Sequence, residues 1–127
     1  MDALSKPGSP KTPKVNFDHT TGLLELAGRS IPENSVELYK PMMEWMDEYT
    51  PNALDKTSFN VKLEYFNTSS SKCILDLLKK LENIRKLGKE VCVNWHYEVD
   101  DYDMLEAGEN YQSILKLPFN MVEIDEE

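Results

Sequence analysis

Two stretches of the chain alternate apolar and polar residues with a period of two. In FNVKLEYF (59–66), Phe59, Val61, Leu63 and Tyr65 fall on one face and Asn60, Lys62 and Glu64 on the other. In EVCVNWHYE (90–98), Val91, Val93, Trp95 and Tyr97 stand against Cys92, Asn94 and His96. This period predicts strands buried on one side. Between them, Ile74, Leu77, Leu78, Leu81 and Ile84 form the stripe of an amphipathic helix, and Gly88 supplies its stop. Val15 and Phe17 predict a short strand, DHTTG (18–22) a turn, and LLELAG (23–28) the hairpin mate. Leu38, Met42, Trp45, Met46 and Tyr49 predict a helix capped by Asn34 or Ser35, with Glu37 in its first turn. Pro41 removes one hydrogen bond from that helix and is expected to kink or loosen its first turns. A weaker helix over about 101–115, capped by Asp100 or Asp101, carries Met104, Ala107, Tyr111 and Ile114 on one side and an unfavourable Gly108. FNMVEI (119–124) is the last strand, and DEE an acidic end. Residues 1–13, with Pro7, Gly8, Pro10 and Pro13, read as a flexible tail, leaving 14–127 as one domain.

The order ββαβαβαβ implies a mostly parallel sheet with an N-terminal hairpin and right-handed crossovers. Strands added in one direction put the helices mainly on one face, and the half-polar strands leave water on the other. The expected fold class is therefore α/β in two layers rather than doubly wound.

Composition narrows the function. A chain of 127 residues can bury a core without disulfides or metals. A net charge of −9 argues against nucleic acid and anionic membranes as partners, while leaving room for a protein with a basic patch. Cys73 and Cys92 form no CxxC pair and read as buried free thiols, which fits a reducing compartment. No apolar run has the length of a signal peptide core or a membrane span, so a cytoplasmic location is expected.

The junction YFNTSSSK (65–72) is the most unusual feature. A strand hands over to a helix through Asn67 and four consecutive hydroxyl residues, Thr68, Ser69, Ser70 and Ser71. Asn67 or Thr68 can cap the helix, and Ser and Thr at helix starts are most often caps. The same end also carries unpaired N–H groups and the positive end of the dipole, which stabilise a phosphate. A phosphate would add roughly −1.5 to −2 charges to a neutral spot, and a partner packed flat on it would lose contact.

Other candidates are weaker. His96 and His19 lack ligand-spaced partners, and a structural or interface role suits His96. Glu33, Asn34 and Ser35, in PENS, form a helix start that is also a possible partner surface. Glu98, Asp100, Asp101 and Asp103 read as a solvated, capping loop, without the spacing of a cation site. Met42, Met43 and Met46 read as core. No nucleophile–His–acid set, Gly-rich phosphate loop or HExxH occurs, so neither an enzyme nor a cofactor or metal is expected.

The NTSSSK junction, PENS before the first long helix, and WHY (95–97) at the end of the following strand occur in one order over about residues 15–125. In this the chain resembles the SiaC-type bacterial regulatory phosphoproteins, related in architecture to the STAS anti-sigma-factor antagonists. The resemblance implies that Thr68 is the phosphoacceptor. It implies a cognate Ser/Thr kinase of the histidine-kinase-like ATPase type and a metal-dependent PP2C-type phosphatase. It also implies that the unphosphorylated form binds and activates a diguanylate cyclase, controlling cyclic-di-GMP and biofilm behaviour. The STAS antagonists carry a serine after an aspartate at this junction and bind an anti-sigma kinase, which is the alternative reading. Asn67–Thr68 favours the SiaC-type branch.

Overall fold

In the computed structural model, which describes residues 1–124, the two alternating stretches are neighbouring parallel strands. The elements in chain order are β1 (Leu4–Lys6), β2 (Lys14–Asp18), β3 (Leu23–Ser30), α1 (Ser35–Tyr49), a 3-10 turn (Thr50–Asn52), β4 (Lys56–Phe66), α2 (Thr68–Lys86), β5 (Glu90–Glu98), α3 (Tyr102–Ile114) and β6 (Phe119–Ile124). The strands lie side by side in sequence order. The first three pair antiparallel, and β3 to β6 pair parallel with one helix in each connection.

The period-two pattern sorts the two faces. Phe17, Leu24, Leu26, Phe59, Val61, Val91, Val93 and Trp95 are buried beneath the helices. Phe17 meets the ring of Trp45 from α1 at 5.3 Å, and Trp95 meets Tyr111 from α3 at 5.4 Å. The opposite face stays open and polar. There Asn60, Asn94 and Asn120 stand in register, and their amides bond in a row at 2.7 and 3.0 Å. Helices on one face and water on the other is the two-layer α/β arrangement that the alternation implies.

Several details depart from the sequence reading. Part of the segment read as a flexible tail is β1, the edge strand beside β2. The indole of Trp45 donates to the Asp2 carbonyl at 2.8 Å, and Ile31 N donates to the Lys11 carbonyl at 2.9 Å. Three residues of pairing were too short a pattern to stand out among the prolines. α1 runs unbroken through Pro41, whose missing N–H leaves one carbonyl of an exposed helix face to solvent. Cys73 is buried, but Cys92 is half-buried on the open face beside Ser58. The acidic end DEE lies outside the described residues.

The end of β4 differs most consequentially. Leu63 stands opposite Gly28 and Tyr65 opposite Arg29, so Glu64 is an extra residue in a β-bulge. The bulge reverses the alternation. Tyr65, expected on the core face, is 54% exposed, and Phe66 turns inward to meet Trp95 at 6.2 Å. Gly28, at φ +103°, takes the left-handed backbone that this irregularity needs. The strand consequently delivers Asn67 to the start of α2 with Phe66 as an anchor.

Candidate functional site

The helix start at the carboxyl end of β4 is built by Asn67. Its Oδ1 accepts from Ser70 N at 2.9 Å, the N-cap bond. Its backbone N–H donates to the Ser30 carbonyl at 2.9 Å, and its Nδ2 donates to the Pro32 carbonyl at 3.3 Å. Asn67 therefore ties the end of β3, the loop before α1 and the start of α2 together. Ser71 N bonds Asn67 O within the helix, so the amides of Thr68 and Ser69 are the donors that the cap leaves over.

The four hydroxyls that follow have four different environments. Ser70 is fully buried, donates to the Ser30 carbonyl at 3.1 Å, and bonds the hydroxyls of Ser30 at 2.8 Å and Ser35 at 3.3 Å. Ser30 continues the chain to the Tyr39 hydroxyl at 2.7 Å. Ser69 is exposed, yet its oxygen lies 2.6 Å from that of Ser35 and donates to Asn67 Oδ1 at 3.2 Å. Ser71 is half-buried and meets the Tyr111 hydroxyl at 3.0 Å, which in turn donates to the Ser71 carbonyl at 2.8 Å. Thr68 is exposed, and its hydroxyl bonds no other group among the described residues.

Three of the hydroxyls thus hold α1, α2 and α3 to one another, and one faces outward. The network is neutral throughout. Burial pushes the Tyr39 hydroxyl up to about 12, so it stays protonated as a hydrogen-bonding group. Burial likewise raises Tyr111, against the opposing bond from Ser71. The partners of these hydroxyls are other hydroxyls, amides and carbonyls, and neither histidine is among them. Among the described residues, none bonded to the run is a base that could activate an oxygen as nucleophile.

The other candidates occupy separate places. Glu33 and Asn34 are exposed beside the site, and Asn34 caps α1 through Glu37 N at 3.1 Å. Ser35, read as partner surface, is buried and turned toward Ser69 and Ser70. Ser70 likewise lies inside rather than on the switch surface. His96 is on the open face of the sheet, where burial and Lys62 lower its pKa. His19 lies in the β2–β3 turn, at the other end of the sheet. Asp101 caps α3 through Met104 N at 3.0 Å. Among the described residues, no group of His, Cys, Asp and Glu is arranged to hold a metal ion.

Sequence reasoning missed Ser30, Tyr39 and Tyr111 as members of the network. Ser30 lies past the predicted strand end. Tyr39 falls beside the predicted stripe of α1, and Tyr111 was counted only as apolar. Two shallow depressions share Ala107, and Thr68 lines the larger. One of about 350 Å³ also holds Lys72, Leu75, Asn110, Tyr111 and Ile114; the other, about 150 Å³, holds Glu64, Tyr65, Asp101 and Asp103.

The site is thus a hydroxyl-rich helix start at the strand ends of an open-faced α/β domain. Comparison with known proteins sets the class and then the family. The model of SiaC family regulatory phosphoproteins matches residues 6–124, and the chain belongs to that family. An uncharacterized protein of Pseudomonas aeruginosa strain UCBPP-PA14 is 32% identical over 126 residues, covering 99% of this chain and all of the relative. The structure of SiaC of Pseudomonas aeruginosa superposes with a TM-score of 0.89 at 31% identity, covering 98% of this chain and 100% of that one. A chain of the crystal structure of the diguanylate cyclase SiaD in complex with its activator SiaC, from the same organism, superposes with a TM-score of 0.89 at 30% identity, covering 95% and 99%. No helix among the described residues is long and apolar enough to cross a membrane.

Proposed function

We propose that this chain is a phosphorylation-switched binding protein whose unphosphorylated form binds and activates a diguanylate cyclase, and that Thr68 is the switch. The carrying observation is the division of labour in the hydroxyl run: Ser69, Ser70 and Ser71 are bonded within the protein, whereas Thr68 is exposed and, among the described residues, uncommitted. A SiaC in complex with a diguanylate cyclase, at 30% identity over nearly the whole chain, supports the choice of target.

In this reading a Ser/Thr kinase transfers the γ-phosphoryl of ATP to Thr68 Oγ1: the new P–O bond forms as the bond to the β,γ-bridging oxygen breaks, ADP leaves, and the hydroxyl proton is released. A PP2C-type phosphatase restores the alcohol by hydrolysis. The leftover amides of Thr68 and Ser69 and the dipole of a 19-residue helix favour the phosphate where it forms. The core hydroxyls are untouched, so the fold persists while the surface changes. A partner lying across Thr68 would have to desolvate a dianion, which costs more than the contact returns.

Coexpression with the cognate kinase tests the assignment by intact mass and site mapping. One added phosphate, lost in Thr68→Ala, is the expected result; a phosphate found only on Ser69, Ser70 or Ser71 overturns it. Thr68→Ala is expected to retain cyclase binding in a pull-down, and Thr68→Asp to bind more weakly. Recovery of an anti-sigma kinase instead of a cyclase would favour the antagonist reading.

A further inference from the structure

Around Thr68 the surface is both greasy and acidic. Tyr65, Val99 and Tyr102 are exposed by 54, 46 and 73%, at the end of β4, in the loop after β5 and at the start of α3. Exposed apolar clusters of this kind mark protein-binding surfaces. The segment 98–115 contains Glu98, Asp100, Asp101, Asp103, Glu106 and Glu109 and no Lys or Arg. Among the described residues the ion pairs of Lys14, Lys56, Lys62, Lys80 and Lys89 engage Glu25, Asp47, Asp55 and Glu90, all elsewhere, and leave Asp100, Asp103, Glu106 and Glu109 unneutralised by them. The nearby cations are Lys72, in the larger depression beside Thr68, and Arg29, next to Tyr65 across the strands; Arg85, Lys86 and Lys116 line a separate depression with Ile114, at the far end of α3.

We infer that this face receives a partner segment in which Lys or Arg side chains alternate with apolar ones, the carboxylates of 100–109 steering it and the exposed rings seating it. The inference rests on the proposed Thr68 switch and adds the chemistry of what docks there. It also separates two roles that act on different rates. Rim charges change the association rate and its salt dependence, whereas groups inside a contact change dissociation. A phosphate on Thr68 makes the face more negative, so it does not slow the approach of a basic segment. It acts where the apolar side chains seat, by putting a hydrated dianion into that contact, and so shortens the life of the docked complex.

The test measures association and dissociation of the full chain with the purified diguanylate cyclase of its source organism, at low and physiological ionic strength. Asp103→Lys is compared with Asp55→Lys, which makes the same change in net charge at the opposite end of the sheet, where Asp55 pairs Lys89. Glu106→Lys repeats the reversal beyond the first turn of α3, and circular dichroism checks the fold of each. Asp103→Lys and Glu106→Lys are expected to slow association about tenfold at low salt, flatten its salt dependence and leave dissociation unchanged. Asp55→Lys is expected to do little, and phosphorylation to speed dissociation without slowing association. Equal effects of all three reversals, no effect of any, or a phosphate that acts on association would overturn the inference while leaving the Thr68 switch standing. Failure of the unmodified protein to bind the cyclase would overturn both.

Discussion

At the scale of single residues, the hydroxyl run shows how identical chemistry is put to different uses. Ser70→Ala removes a buried group that serves Ser30 and Ser35 and leaves their oxygens short of a partner. It is expected to cost about 1–3 kcal/mol of stability by urea denaturation. Thr68→Ala removes an exposed hydroxyl with no bond to lose, and is expected to lie within about 0.5 kcal/mol of the parent. The cap was legible in the sequence because Asn67 bonds a residue only three positions away. The burial of Ser70 was not, because Ser30 and Ser35 lie 40 and 35 positions distant and only the folded chain brings them near. Three of the four hydroxyls are accounted for by the meeting of three helices at this point, and Thr68 is the one left over.

At the scale of elements, two local irregularities set the geometry of the site. Glu64 shifts the phase of β4, and a strict period of two cannot reveal that; only the φ of Gly28 and the register with β3 do. Gly108, which counts against a helix in the sequence, is what allows α3 to lie on Trp95. A Cβ there would come within 2.5 Å of the indole Cδ1, while Trp95 Nε1 donates to the Met104 carbonyl at 2.9 Å from the same helix. Gly108→Ala would gain about 1 kcal/mol in helix propensity but would force α3 off the ring, at a typical cost of about 1–3 kcal/mol for overpacking. The clash is expected to win, giving a net loss in thermal melting and faster amide exchange in α3. Such exchange should also loosen the link between Tyr111 and Ser71, on the shoulder of the Thr68 site.

At the scale of the whole molecule, the alternating strands and the order of elements carried the α/β architecture, since each parallel crossover leaves one helix on a shared face. The same open face governs a pH response. Burial first, and Lys62 second, lower the pKa of His96 from its ordinary 6.5, with Glu25 opposing. The folded protein thus prefers neutral His96, and the unfolded chain binds the proton more readily. This contribution is complete above pH 6.5 and is lost as the pH falls through the interval below it. Urea midpoints measured above and below that value are expected to differ less in His96→Gln than in the parent. The amino-terminal strand has a consequence of a different kind. The Asp2 carbonyl is the acceptor for the Trp45 indole, whereas Trp95 is sealed in the interior. A chain begun at Lys6 would admit water to one indole and not the other. A red shift in tryptophan emission would therefore be a label-free gauge of whether the first residues are seated.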